Sequence, residues 1–319
     1  MKFYYREQNQ SIEIIRCFGC DGKVVLPEYI DGLPVEKVAA YTFSDRRDNK
    51  EQEFLVYETE DHALFKGEEE LLAGLNVEEI IFPDTVREIG NYIFYGCKKL
   101  RKLVFSDALV QIGGGAFTGC GGLAFLKVHM KSGRQSCVKE ILGELWQRID
   151  VTFCYEQEGR KAVLVFPEHY EEAVENTPAR ILFTQHHGSG NNYRQCFYNK
   201  VVDYRKYDSL FSVAAAWDKA DVLADMALWR LACPYDLSDN HKRSYENMLR
   251  DRYQEVVPYL IKKERFDQIK LFTAYALWNA DILEFALETA AEMGGTEILS
   301  YLMNEKQKSF PTVRKEFRL

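Results

Sequence analysis

The chain has 319 residues, 46% of them hydrophobic and 28% charged, with a formal net charge of −8. This balance suits a soluble globular protein of about two domains and argues against a general nucleic-acid binder, which presents a basic face. No apolar run approaches the roughly 20 residues that span a bilayer. The opening MKFYYREQNQSIEIIRCFG lacks the apolar stretch and cleavage site of a signal peptide, so the expectation is a cytoplasmic protein with neither a membrane nor a nucleic-acid partner.

Residues 11–18 and 23–27 read as strands separated by the turn Gly19-Cys20-Asp21-Gly22. Cys17 and Cys20 form a single C-x-x-C there. With no second pair or suitably spaced histidines nearby, they read as two cysteines beside a turn, with a zinc or redox centre as the alternative. Further on, QIGGGAFTGCGGL at 111–123 has the glycine spacing of a phosphate-binding loop at Gly114 and Gly119. The positions that need lysine and a hydroxyl hold Cys120 and Gly121, so neither the phosphate charge nor the magnesium has a ligand.

The glycines belong to a repeat. Ile89, Gly90, Phe94, Gly96, Cys97 and Leu100 recur 23 residues later as Ile112, Gly113, Phe117, Gly119, Cys120 and Leu123. The strand-like pairs Ile80/Phe82, Leu103/Phe105 and Leu126/Val128 keep the same step. A fixed period of this length is the mark of a solenoid in which each coil is one turn of the chain. Stepping back from Ile80 and Phe94 lands on Tyr57 and Leu71, so residues 45–76 read as one degenerate repeat with the charged insertion SDRRDNKEQE on its loop.

The runs EEIIFPDTVREIGNYIFYGCKKL and RKLVFSDALVQIGGGAFTGCGGL, with VVLPEYIDGLPVEKVAAYTF before them, resemble the BspA-type leucine-rich repeat family. They carry its DGLPV turn and its I-G-x-x-x-F-x-G-C-x-x-L run over about residues 11–130. The resemblance implies parallel strands and a role in binding rather than catalysis. After Val128 the next step falls on Val151, and Ile149 corresponds to Leu126. Between them Val138, Ile141, Leu142, Leu145, Trp146 and Ile149 make one apolar helical stripe, a cap for the open end of the solenoid. The strand KAVLVF follows.

From Pro167 the pattern turns helical, beginning with PEHYEEAVEN, where proline and acids mark a helix start. RILFTQ reads as a short strand or an extended segment and HHGSGNN as a loop. Then come YDSLFSVAAAW, KADVLADMALWRLA, HKRSYENMLRDRYQEVVPYLIKK, FDQIKLFTAYALW, ADILEFALETAAEM and GTEILSYLMNE. The last two weakly resemble an ankyrin-type helix–turn–helix, without that family's T-P-L-H opening. The expected fold is α+β: a leucine-rich repeat solenoid with a helical cap over 1–166, then an all-helical, α-solenoid-like domain over 167–319.

No catalytic, metal or cofactor constellation is present in the sequence. Strand alternation puts Ile80 and Phe82 in the core, so Glu79 and Ile81 point out. The period sets Lys102, Val104, Phe125 and Lys127 beside them, a mixed apolar and charged stripe suited to protein recognition. Alternatively, the helical half folds over it. A second cluster, Arg180, His187 and Arg194 around a Ser-Gly loop, is either an anion site or an interdomain loop paired with nearby acids. The sequence therefore predicts a non-catalytic bacterial scaffold for unknown protein partners. The alternative is a ligand-binding or enzymatic C-terminal domain using the 180–197 loop.

Overall fold

The computed structural model describes residues 1–46, 54–59, 70–176 and 181–310. It divides into two units, Met1–Leu210 and Phe211–Leu319.

In the first unit, β1 (Lys2–Gln8) and β2 (Ser11–Gly19) form an antiparallel hairpin. Its turn residues Asn9 and Gln10 both have positive φ, 50° and 62°, the geometry that matches strand twist in tight hairpins. Then come β3 (Lys23–Val25), β4 (Tyr29–Ile30), β5 (Leu33–Val38), β6 (Leu55–Glu58) and β7 (Glu70–Leu71). The clean repeats supply β8 (Glu79–Ile81), β9 (Glu88–Ile89), β10 (Lys102–Ser106), β11 (Gln111–Ile112) and β12 (Phe125–Met130). A short helix α1 (Val138–Gly143) leads to β13 (Ile149–Tyr155) and β14 (Arg160–Phe166).

Two sheets wrap this solenoid. One has the order β14-β13-β12-β10-β8-β3, parallel from β3 to β13 and antiparallel at β14. The other runs β11-β9-β5-β2-β1-β6, with β4 and β7 attached at β5 and β2. The period appears directly as register: Ile80 lies beside Leu103 and Leu103 beside Leu126, and Ile89 lies beside Ile112. Along the corner between the sheets, Phe43, Phe94 and Phe117 stack at 5.5 and 5.3 Å. Beneath them the Cys97 and Cys120 thiols donate to the carbonyls of Phe43 and Phe94 in the preceding coil. Gly113 is required here, since a Cβ on it would lie 2.2 Å from the Asn91 nitrogen. The apparent phosphate loop is a coil corner.

The structure corrects the sequence reading at several points. The coil before β8 is not residues 45–76: β8 pairs with β3, Val24 lying beside Ile80, and Tyr57 lies in β6, antiparallel to β1. Residues 45–76 are thus inserted between two coils, and the step across them is longer than 23. After β12 the match is Leu126 with Val151 and Val128 with Phe153, because the helical stretch around α1 lengthens that coil; Ile149 is not the partner of Leu126. Where α1 replaces a strand, side chains complete the ladder. The Glu144 carboxylate accepts from the Phe117 N–H at 2.9 Å, and Gln147 Nε2 donates to the Cys120 and Leu123 carbonyls. Of the stripe, Trp146 is exposed while its other members are buried.

PEHYEEAVEN is no helix. It forms β15 (Tyr170–Asn176), paired with β16 (Ile181–His187), a long-range pairing that overrides the local acidic pattern. Then follow α2 (Gly190–Arg194), β17 (Phe197–Tyr198), β18 (Val201–Val202) and α3 (Tyr204–Ser209), all within the first unit. The division of the chain therefore falls at 210/211 and not at 166/167. Segments after β14 complete its surroundings: Phe166 stacks on Phe197 at 5.8 Å, and the Tyr207 hydroxyl bonds both backbone groups of Val165.

The second unit is helical: α4 (Phe211–Trp217), α5 (Ala220–Ala232), α6 (Asp239–Asp251), α7 (Tyr253–Lys262), α8 (Phe266–Ala274), α9 (Ala280–Glu292) and α10 (Thr296–Ser309). Helices α5, α7 and α9 pack in succession, with α6 on α5, α8 on α7 and α10 on α9. Ser238 and Asn279 cap α6 and α9 by accepting main-chain N–H bonds. The run 241–263, read as one helix, breaks at Arg252, and α7 carries Pro258 in its interior, where the ring removes one main-chain bond, to the Gln254 carbonyl.

Candidate protein-recognition face

The six-stranded sheet positions the predicted stripe. Ile80, Leu103 and Leu126 point inward and are at most 1% exposed. Their neighbours along each strand point out, as alternation requires. The outward residues form two rows in register. One runs Lys23, Glu79, Lys102, Phe125, Asp150; the other runs Val25, Ile81, Val104, Lys127, Thr152. All six predicted residues, Glu79, Ile81, Lys102, Val104, Phe125 and Lys127, are thus brought onto one face.

Their exposure is uneven. Phe125 is 50% and Val25 45% exposed, Ile81 is half-buried, and Val104 is only 7% exposed. Val104 lies on a central strand, flanked in register by Ile81 and Lys127, so it serves as a floor and not as a free contact. The charges divide as well. Lys102 Nζ is 2.9 Å from Glu79 Oε1, and Arg148 grips Asp150 through two bonds of 2.8 and 2.9 Å. Lys127 makes no ion pair among the described residues. Val25, missed in the sequence, joins the face because β3 is the neighbour of β8; the pairing across the insertion hid it.

The described members of the second cluster, His187 and Arg194, are held by other partners. Arg194 is 5% exposed, and its guanidinium donates to the main-chain carbonyls of Leu142, Leu145, Pro167, Gly190 and Gln147 at 2.7–3.1 Å. It clamps α2 to the α1 segment. Burial holds its pKa down at about 10. His187 stacks on Tyr170 with centroids 4.5 Å apart, and its Nε2 lies 3.2 Å from Glu172. Arg180 lies outside the described residues. Cys17 is buried and Cys20 exposed, so the C-x-x-C does not present two thiols together. Among the described residues no group of His, Cys, Asp and Glu is placed to hold a metal, and no helix is long and apolar enough to cross a membrane.

These coils, with parallel strands on one side and stacked phenylalanine–cysteine corners on the other, define a leucine-rich repeat solenoid. Residues 68–139 match the family described as BspA type Leucine rich repeat region (6 copies). No curated protein matches the chain. Among solved structures, a leucine rich cell surface protein from Faecalibacterium prausnitzii A2-165 is 19% identical, with 42% of this chain aligned to 29% of that one and a TM-score of 0.27. The T. pallidum Leucine Rich Repeat protein is 23% identical over 39% of this chain and 68% of its own, with a TM-score of 0.23. The chain therefore spans under a third of the length of the first.

Proposed function

We propose that the outer face of the six-stranded sheet binds a protein partner, and that the chain is a non-catalytic recognition or scaffold module. The observation that carries this reading is the pairing of half-exposed Phe125 with Lys127 on one strand, next to the Lys102–Glu79 and Arg148–Asp150 ion pairs. An aromatic ring with one side in solvent supplies contact area at low entropic cost, and an uncommitted lysine supplies orientation. The anion-site alternative is weakened because Arg194 spends its donors on carbonyls. Six buried thiols and two others, none joined in a disulfide, support placing the protein in a reducing compartment such as the bacterial cytoplasm.

The test uses a partner captured by pull-down from a bacterial lysate and then purified. The double variant Phe125→Ser, Lys127→Glu should bind it at least about tenfold more weakly by calorimetry, the scale of one central contact. Its melting temperature should stay close to that of the parent, because both side chains face solvent. Lys102 is the poorer choice, since reversing it sets two carboxylates side by side. Unchanged affinity in the double variant removes this face as the site.

A further inference from the structure

A surface depression of about 470 Å³ lies away from the sheet face, lined by Trp146, His169, Tyr170 and Glu171. Trp146 follows α1, and Tyr170 opens β15. The His169 N–H donates to the Trp146 carbonyl at 3.0 Å, which ties the two segments together and fixes the spacing of their side chains. Both large rings remain in solvent, the indole 56% and the phenol 50% exposed. One face of Tyr170 is taken by His187, nearly parallel at 12°, so the exposed half of the phenol is its other face.

The charges around the depression are acidic. Glu171 lines it, its carboxylate 3.4 Å from His186 Nδ1, and Glu168 and Glu172 are exposed on either side. The cation behind the site, Arg194, is buried and tied to carbonyl dipoles. Burial, and then the charge of Arg194, lower the pKa of His169, so its imidazole is neutral near pH 7 and adds no positive charge to the lining.

From this arrangement we propose that the Trp146–Tyr170–Glu171 depression binds an alkylammonium group, as carried by methylated lysine or by a small quaternary amine. Aromatic faces attract a cation through their quadrupole, most strongly for tryptophan, and the exposed acids of this segment add a field of the same preference. Phosphates and carboxylates are repelled by the same acids. A neutral apolar ligand gains contact area but no electrostatic attraction. This site is independent of the sheet face, so either proposal can fail alone.

The experiment measures binding of four probes to the full chain by ligand-observed NMR: choline, Nε-trimethyl-lysine, lysine, and 3,3-dimethyl-1-butanol, the uncharged shape mimic of choline. A methylated ammonium should bind about tenfold more tightly than the neutral mimic, the ratio expected of a partly desolvated cation–π contact. Trp146→Ala should abolish that difference and Glu171→Gln should reduce it several-fold, with melting curves unchanged because both side chains are exposed. Binding of trimethyl-lysine but not choline assigns the site to a modified protein; binding of choline alone assigns it to a small amine. Equal binding of choline and its mimic, no binding of any probe, or an unaffected Trp146→Ala variant overturns the proposal.

Discussion

Phe94 shows how one residue type at a fixed interval becomes a structural column. Its ring lies between Phe43 and Phe117 and is fully buried. Phe94→Ala or Phe117→Ala should each cost roughly 3–5 kcal/mol, the range for deleting a buried aromatic; a urea-melt loss below about 1 kcal/mol for both would contradict the column. The thiols carry a pH signature. Burial pushes Cys97 and Cys196 up to about 12, and raises Cys17, Cys120 and Cys137 as well, from an ordinary value of 9.0. Above pH 9 the unfolded chain gives up these protons while the folded one keeps them, so the unfolded state binds fewer protons and stability falls as pH rises. Each thiol contributes a slope of at most about 1.4 kcal/mol per pH unit. Urea midpoints should therefore hold from pH 7 to 8 as far as thiols are concerned and drop between pH 9 and 11; a flat midpoint across that window refutes the thiol contribution.

Among the elements, β14 ends the six-stranded sheet with an edge that is buried from Ala162 to Phe166. Val165 is fully buried, and the Tyr207 hydroxyl takes the place of a further strand, accepting from its N–H at 3.0 Å and donating to its carbonyl at 2.7 Å. Tyr207→Phe orphans both groups and should cost roughly 2–4 kcal/mol, at about 1–3 kcal/mol per unsatisfied buried group. Denaturant melts of this one variant decide it, and a loss within about 0.5 kcal/mol would show that the edge is satisfied otherwise. The element scale also shows what could be read in advance. The 23-residue step placed β8, β10 and β12 in register, and alternation put Glu79, Lys102 and Phe125 on one face, because both are local properties of the chain. Pairings across insertions are not local. The bond between β3 and β8 was hidden by residues 45–76, which break the count, and β15 was hidden because its acidic run gains its conformation from β16. Arg194 escaped for another reason: its partners are main-chain carbonyls, which every residue carries and no motif marks.

For the whole chain, the boundary at 210/211 makes a direct prediction about what folds alone. Residues 1–210 keep the Arg194 clamp, the Phe166–Phe197 stack and the Tyr207 seal. Residues 1–166 lose all three, leaving the fully buried Phe166 and Val165 open to water. The longer fragment should be soluble and melt cooperatively, and the shorter should aggregate or melt without a clear transition, as measured by circular dichroism. Equal behaviour of the two would mean that residues 167–210 contribute nothing to the solenoid. The second unit has a core of its own, including Leu228, Leu260, Phe272 and Ala286, and neighbouring helices stacked in sequence order, which is the contact pattern of a domain stabilised mainly by near neighbours.

The corner column has one more consequence, in the way such a chain can lengthen. Each coil hands its thiol proton and one phenylalanine face to the coil before it, and offers its phenylalanine carbonyl and the other ring face to the coil after it. A tandem copy of residues 101–123 would therefore meet, on both sides, surfaces that it already fits. One residue added or lost within a strand, where no loop absorbs it, would instead turn the rest of that strand over and send its inward side chains to solvent. Gene duplication in units of this length is thus nearly silent for folding, while a single-codon slip within a strand is not. A repeat protein of this kind grows by whole coils.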